Sequence, residues 1–183
     1  MIYRGIIIAK ILSGKDMDYM FSDQATRQGL CPVCHNLLEQ IPDLNAKIKS
    51  KKGDFFVTYD GFTLVSQKFK DFCDERHYPN LTYKEMKNMP GLYYFMPNNV
   101  FRIDTSMLHL CNFNECCNSF DSIVGGVIKA IDFKVETNDF ICRSNFFMGS
   151  RHRKGPCIIV GLETAKKMRD FGLKDVYFHD VYQ

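Results

Sequence analysis

Two groups of cysteine constrain this chain more than any other feature. Cys31-Pro32-Val33-Cys34 places two thiols on a proline-containing turn, and Cys111, Cys116 and Cys117 fall within residues 109–118, with residues 35–110 between the groups. A metal held by two pairs of thiolates needs each pair on a tight turn, with ligands about two to four residues apart, so that all the sulfurs reach one tetrahedral centre. The first pair has that spacing. Cys111 with Cys116 has it at the long end, and Cys117 is the alternative fourth ligand. Zinc on Cys31, Cys34, Cys111 and Cys116 would staple two distant parts of the chain together; His35 and His109 are substitute ligands. Two other readings stay open, a redox pair and unliganded thiols. A redox Cys-x-x-Cys opens a helix directly after a strand, so that the helix N-terminus lowers one thiol pKa. A helix could follow over residues 35–41, but residues 16–29 before it are polar and loop-like.

The remaining composition sets the class. A chain of 183 residues, 45% hydrophobic and 14% aromatic, is long enough to bury one sizeable core. It reads as a single domain over 1–183, or as two lobes of about 1–110 and 111–183 sharing that core. The apolar run at residues 5–12 is broken by Lys10 and is shorter than the ~20 residues of a membrane-spanning helix, so it reads as a buried strand. No export signal opens the sequence, which points to the cytoplasm and to reduced thiols. Cys73, Cys142 and Cys157 lie in apolar surroundings and read as core thiols. The net charge of +3 comes from 24 Lys plus Arg against 21 Asp plus Glu, scattered along the chain, unlike the basic stripe of a general nucleic-acid binder. The one local run, Arg151-His152-Arg153-Lys154 between Gly149 and Gly155, reads as a solvated loop.

Hydrophobic periodicity gives an α+β chain. Phe62-Thr63-Leu64-Val65 reads as a strand, Ser66 as a helix cap, Phe69, Phe72, Cys73 and Arg76 as one helix face, and Leu81-Thr82-Tyr83 as a second strand. The same order recurs late: Cys157-Ile158-Ile159-Val160 as strand, a helix with Ala165, Met168 and Phe171 inward, Gly172 as its stop, and Val176-Tyr177-Phe178 as strand. Between them, residues 91–96 read as an aromatic strand, and residues 127–135 end in the clean alternation of a strand with one wet face. The expected fold is a mixed sheet with flanking helices, built from two related strand-helix-strand half-units and stapled by a structural zinc.

The early Cys-x-x-Cys, the "LVSQKFKDF" and "IIVGLETAKKM" units, the central cysteine cluster and the ending "GLKDVYFHDV" together resemble the double-CxxCG-type immunity proteins of bacterial polymorphic-toxin systems, and the related DUF1629-like immunity families. The resemblance runs from about residue 31 to the C-terminus. It implies a non-catalytic protein that binds and neutralises a cognate toxin encoded beside it, with no particular toxin-contacting residue carried over. The chain departs from the family pattern in two places: His35 follows Cys34 where the pattern has glycine, and the second pair is stretched.

Catalysis finds little purchase in the residues. His35, His77, His109, His152 and His179 form no metalloprotease pair, and Gly125-Gly126 lacks the Lys-Ser/Thr of a phosphate loop. Asp132, Glu136 and Asp139 read as carboxylates on a solvated strand edge. Besides toxin neutralisation, the sequence leaves a zinc-containing nucleic-acid module, with Arg143, Arg151, Arg153 and Lys154 on phosphates and Phe146 and Phe147 as stacking rings, and, further off, a thiol oxidoreductase.

Overall fold

The computed structural model describes residues 5–21, 28–49, 52–131 and 138–183. In chain order they form β1 (Ile7–Asp16), β2 (Phe55–Val57), β3 (Thr63–Ser66), α1 (Gln67–Glu75), β4 (Leu81–Glu85), β5 (Leu92–Pro97), β6 (Val100–Phe101), β7 (Ile103–Asp104), β8 (His109–Asn114), β9 (Ser119–Val124), β10 (Lys129–Ala130), β11 (Ile141–Ser150), β12 (Arg153–Gly161), α2 (Leu162–Asp170) and β13 (Val176–Tyr182). Among the described residues no helix is long and apolar enough to cross a membrane.

The strands make a mixed sheet organised by β1. Ala9–Leu12 of this strand lies between β12 and β13 and is antiparallel to both, while Lys15 and Asp16 at its end pair with β2 in parallel. From β2 the sheet runs on through β3 and β5 to β4, and from β12 through β11 and β9 to β8. Each helix therefore joins two strands that are not neighbours. Between β3 and β4 lies β5, and between β12 and β13 lies β1, antiparallel to its flanking strands in both cases.

Both faces of the sheet's central strands are buried, and the period of two along a strand sorts the side chains between them. On β12, Ile158 and Val160 face one core and Ile159 the opposite one; on β2, β3 and β5, Phe55, Val65 and Phe95 turn to the first core while Phe56, Leu64 and Tyr94 turn away from it. The two helices cover that first core together, α1 with Phe69, Phe72 and Cys73, α2 with Ala165 and Met168. Removing a phenylalanine side chain from such a site costs about 3–5 kcal/mol.

Local signals explain the helix ends. Ser66 Oγ accepts from the Phe69 amide at 3.2 Å and donates to Asp54 Oδ1 at 2.7 Å, capping α1 as expected. Arg76 closes that helix by lying over the Phe72 and Phe171 rings, 4.3 and 4.9 Å from their centroids. Gly172, at φ +73, takes the left-handed turn that ends α2.

Several expectations are corrected. Residues 35–41 form no helix; they make a turn and an extended segment in which Leu37 bridges back to Leu30. The basic run at 151–154 is the two-residue turn after β11, with Arg151 at φ 50, and the start of β12; Arg151 and Arg153 face outward, but His152 is 8% exposed and Lys154 only 1%. Asp139 is no solvated edge carboxylate. It accepts from Tyr78 Oη at 2.6 Å, Thr164 Oγ1 at 2.8 Å and Lys167 Nζ at 2.6 Å. Burial acts to raise its pKa, but these donors outweigh it and hold the carboxyl below the usual range. Asp132 and Glu136 lie outside the described residues, as does all of the stretch 132–135; within 127–131 the strand is β10. Cys73 is buried, and Cys142 and Cys157 are half-buried beside the far core; burial pushes their thiols up, to about 12, 11 and 12 respectively.

Candidate metal centre

Two turns build the site. In the first, residues 29–39 close on themselves: the Cys31 amide donates to Asn36 O at 2.8 Å, the His35 amide to Cys31 O at 3.0 Å, and the Leu38 and Glu39 amides both reach Gly29 O. Gly29 is required there, because its φ is +83 and a Cβ would come within 2.3 Å of Glu39 O. The turn leaves the Cys34 and Val33 amides pointing at the Cys31 sulfur, and these donors hold the Cys31 thiol down at about 7. The second turn is the tip of the β8–β9 hairpin, where Asn118 at φ 51 reverses the chain and the Cys117 amide bonds Asn114 O. In an extended strand adjacent side chains point to opposite faces; only such a tip lets Cys116 and Cys117 aim the same way.

The four sulfurs of Cys31, Cys34, Cys116 and Cys117 all lie within 4.8 Å of one another. Cys31 Sγ is 3.8 Å from Cys116 Sγ, and Cys34 Sγ is 3.4 Å from Cys117 Sγ. With metal–sulfur bonds of ~2.3 Å, a tetrahedron of thiolates has edges of ~3.8 Å, so this group can hold a metal ion with little movement. Cys111 is corrected as a ligand: it sits on β8 opposite Ser122, exposed and outside the group, and Cys117 occupies the fourth corner instead. The expected result of Cys111→Ser is an unchanged ratio of metal to chain, whereas Cys117→Ser should lose most of the bound metal; elemental analysis after dialysis checks both.

Packing four thiols together discourages a second thiolate. The hydrogen bond with Cys34, burial and the neighbouring Cys31 push the Cys116 thiol up to about 12, and burial followed by the Cys34 contact raises Cys117. A divalent cation among them reverses this balance, because each thiolate then faces positive charge.

Behind the sulfurs stands a polar shell that the sequence did not announce. Asn36, fully buried, directs its Nδ2 at Cys117 Sγ, 3.8 Å away, and at Asp121 Oδ1, 3.4 Å away. Its Oδ1 accepts from Lys154 Nζ at 3.2 Å, and the same ammonium donates to Phe120 O. Burial lowers the Lys154 pKa, opposed by the negative charge of Cys117, Asp121 and Cys34. A buried ammonium among neutral acceptors calls for negative charge close by, and four thiolates around a divalent ion carry a net charge of −2. A close approach fixes its position: Gly155 packs backbone to backbone on Gly61, where an added Cβ would meet Gly61 O at 2.0 Å. Gln40 Nε2 ties the two segments by donating to Gly61 O at 2.7 Å and Lys154 O at 3.1 Å.

His35 is not a ligand in this arrangement; it occupies the left-handed position after Cys34 with φ 57. That conformation costs a residue with a Cβ roughly 1–2 kcal/mol, a strain that glycine does not carry. His35→Gly is expected to keep the metal and to raise the melting temperature by about 2–4 °C, equivalent to about 1 kcal/mol in a chain of this size. A melting curve that does not move would show the turn to be unstrained. His109 is exposed on β8, and His179 Nε2 is 2.7 Å from Ser13 Oγ across β13 and β1.

The basic residues named for phosphate contacts do not share a surface. Arg151 and Arg153 line one cavity of about 370 Å³ beside Cys111 and Asp121, Arg143 and Phe147 line another, Phe146 packs on the far core, and Lys154 is buried. No known protein family matches the chain, and no curated protein does.

Proposed function

We propose that this chain is a non-catalytic immunity protein that binds and neutralises a cognate bacterial toxin in the cytoplasm, and that zinc in the Cys31, Cys34, Cys116 and Cys117 site is structural. The observation that carries the second half is the closure of the site. Four thiolates complete a tetrahedral shell, whereas catalytic zinc keeps a position for water or substrate. Soft sulfur donors in tetrahedral array also favour zinc over the harder divalent cations. A protein whose metal is used up in holding a loop to a hairpin acts through its surface, and the early Cys-x-x-Cys with the two strand-helix-strand units supports the immunity reading of that surface. We also propose that those two units are related halves: in each, the helix links two strands separated by one antiparallel strand.

The test is capture from the native cell with a tagged chain, washed at high salt. One stoichiometric protein that arrests growth when produced alone, and is silenced by this chain, is the expected result. Nucleic acid recovered only at low salt, with no protein partner, would replace the proposal with phosphate binding, whose affinity falls steeply with salt.

A further inference from the structure

A second cavity, also of about 370 Å³, opens on the far side of the loop that carries the Cys31 turn. Its floor is one patch of the β4–β5 ladder, where Thr82 pairs with Met96 and Lys84 with Tyr94, all four on the face turned away from α1. Arg143 and Phe147 of β11 make the opposite wall. The third wall is Leu38, Glu39 and Gln40, held in place by the Gln40 bonds to Gly61 O and Lys154 O and by Tyr94 Oη, 3.5 Å from Gln40 Oε1. The Arg143 backbone is fixed by its amide bond to Asn99 O, and its guanidinium donates to the carbonyl of Ser144. Among the described residues neither Lys84 nor Arg143 forms an ion pair with a carboxylate. The cleft thus offers two cations against the single carboxylate of Glu39, with the apolar side chains of Leu38, Met96 and Phe147 between them.

We propose that this cleft is where an acidic segment of the partner protein docks, with a carboxylate between Lys84 and Arg143 and a neighbouring apolar side chain against Met96 and Phe147; this rests on reading the chain as a protein that works by binding a partner. Charge selects the occupant. Arg143 offers a planar fork suited to a carboxylate, Lys84 a point charge at the exposed rim, and the volume suits two or three side chains of an extended segment. The chain's overall excess of positive charge favours the same class of partner. A metal-bound Cys31 turn would also keep the Leu38–Gln40 wall in register, because Gln40 hangs on the backbone of Lys154.

The experiment is selection from a displayed library of random peptides against the metal-loaded full chain, followed by fluorescence anisotropy with the winning peptides. Enrichment of peptides combining Asp or Glu with an apolar residue is expected, with binding weakened at least tenfold in Lys84→Gln/Arg143→Gln and in Lys84→Glu/Arg143→Glu. Lys84 is exposed and Arg143 half-buried, and far-ultraviolet circular dichroism verifies that the variants fold. Failure to enrich acidic peptides, equal binding by the variants, or displacement of the peptide by millimolar inorganic phosphate or by a single-stranded oligonucleotide would each overturn the proposal. Capture of a toxin by wild type and variants alike would discard the cleft and leave the immunity reading in place. Absence of any captured protein, with acidic peptides still selected, would do the reverse.

Discussion

Metal-free protein is expected to melt about 8–16 °C below the metal-bound form. A ligand at a thousandfold excess over its dissociation constant stabilises the native state by about 4.1 kcal/mol, and each kcal/mol moves the midpoint of a chain this long by about 2–4 °C. The loss should be concentrated where the clasp acts. Residues 28–49 contain no helix and no regular strand, and they contribute Cys31, Leu37, Ala46 and Ile48 to the interior through turns alone. The sheet around β1 and β12 has its own core beneath α1 and α2. Chelation, or Cys31→Ser, should therefore raise hydrogen exchange first in residues 28–40 and in the β8–β9 tip, leaving β12 protected. A melting temperature and exchange pattern indifferent to both would sink the structural metal.

Lys154→Met is expected to weaken metal affinity by about 10–100-fold, the usual cost of losing a partner behind the ligands. Methionine keeps most of the volume and none of the charge, so the packing against Gly61 survives. What is lost is a buried cation beside the cysteines, together with the donor to Asn36 Oδ1 and Phe120 O. Removing a buried ammonium also relieves its desolvation, so the two metal-free proteins should melt within a few degrees of each other while their metal affinities diverge. Competition against a chromophoric chelator, paired with melting of both apo forms, reads the two effects separately. Equal affinities would relegate Lys154 to a packing role.

The parts of this architecture that were legible in the sequence were governed by local rules. Ser66 before Phe69, Gly172 after α2 and the apolar runs of β1 and β12 each carry their structural reason within a few residues. The Cys31 turn was readable for the same reason. Cys117 was harder, because ligand spacing measures distance along the chain, and an adjacent pair becomes usable only when a hairpin tip reverses between strands. Lys154 was misread in the opposite sense: lysines in a run beside glycine are nearly always solvated, and only the thiolates and Asn36, brought from residues 31–36 and 116–117, make a buried one tolerable. The two-residue strands β6, β7 and β10 have no period to detect. Their partners are distant in sequence or equally short: β6 pairs with β11, β10 with β13, and β7 with β10.

The position of β1 has a consequence for how the molecule is made. This strand is synthesised well before the two partners that flank it, Arg153–Gly161 and Val176–Tyr182. At ~5–20 residues per second, a ribosome takes roughly 10–30 s to travel between them. During that interval Ile8, Ile11 and Leu12 have neither neighbour, and pairings so distant in sequence are slow to close even when the chain is complete. The centre of the sheet can thus close only after β12 and β13 have both emerged, and until then the apolar residues of β1 lack the strands that flank them.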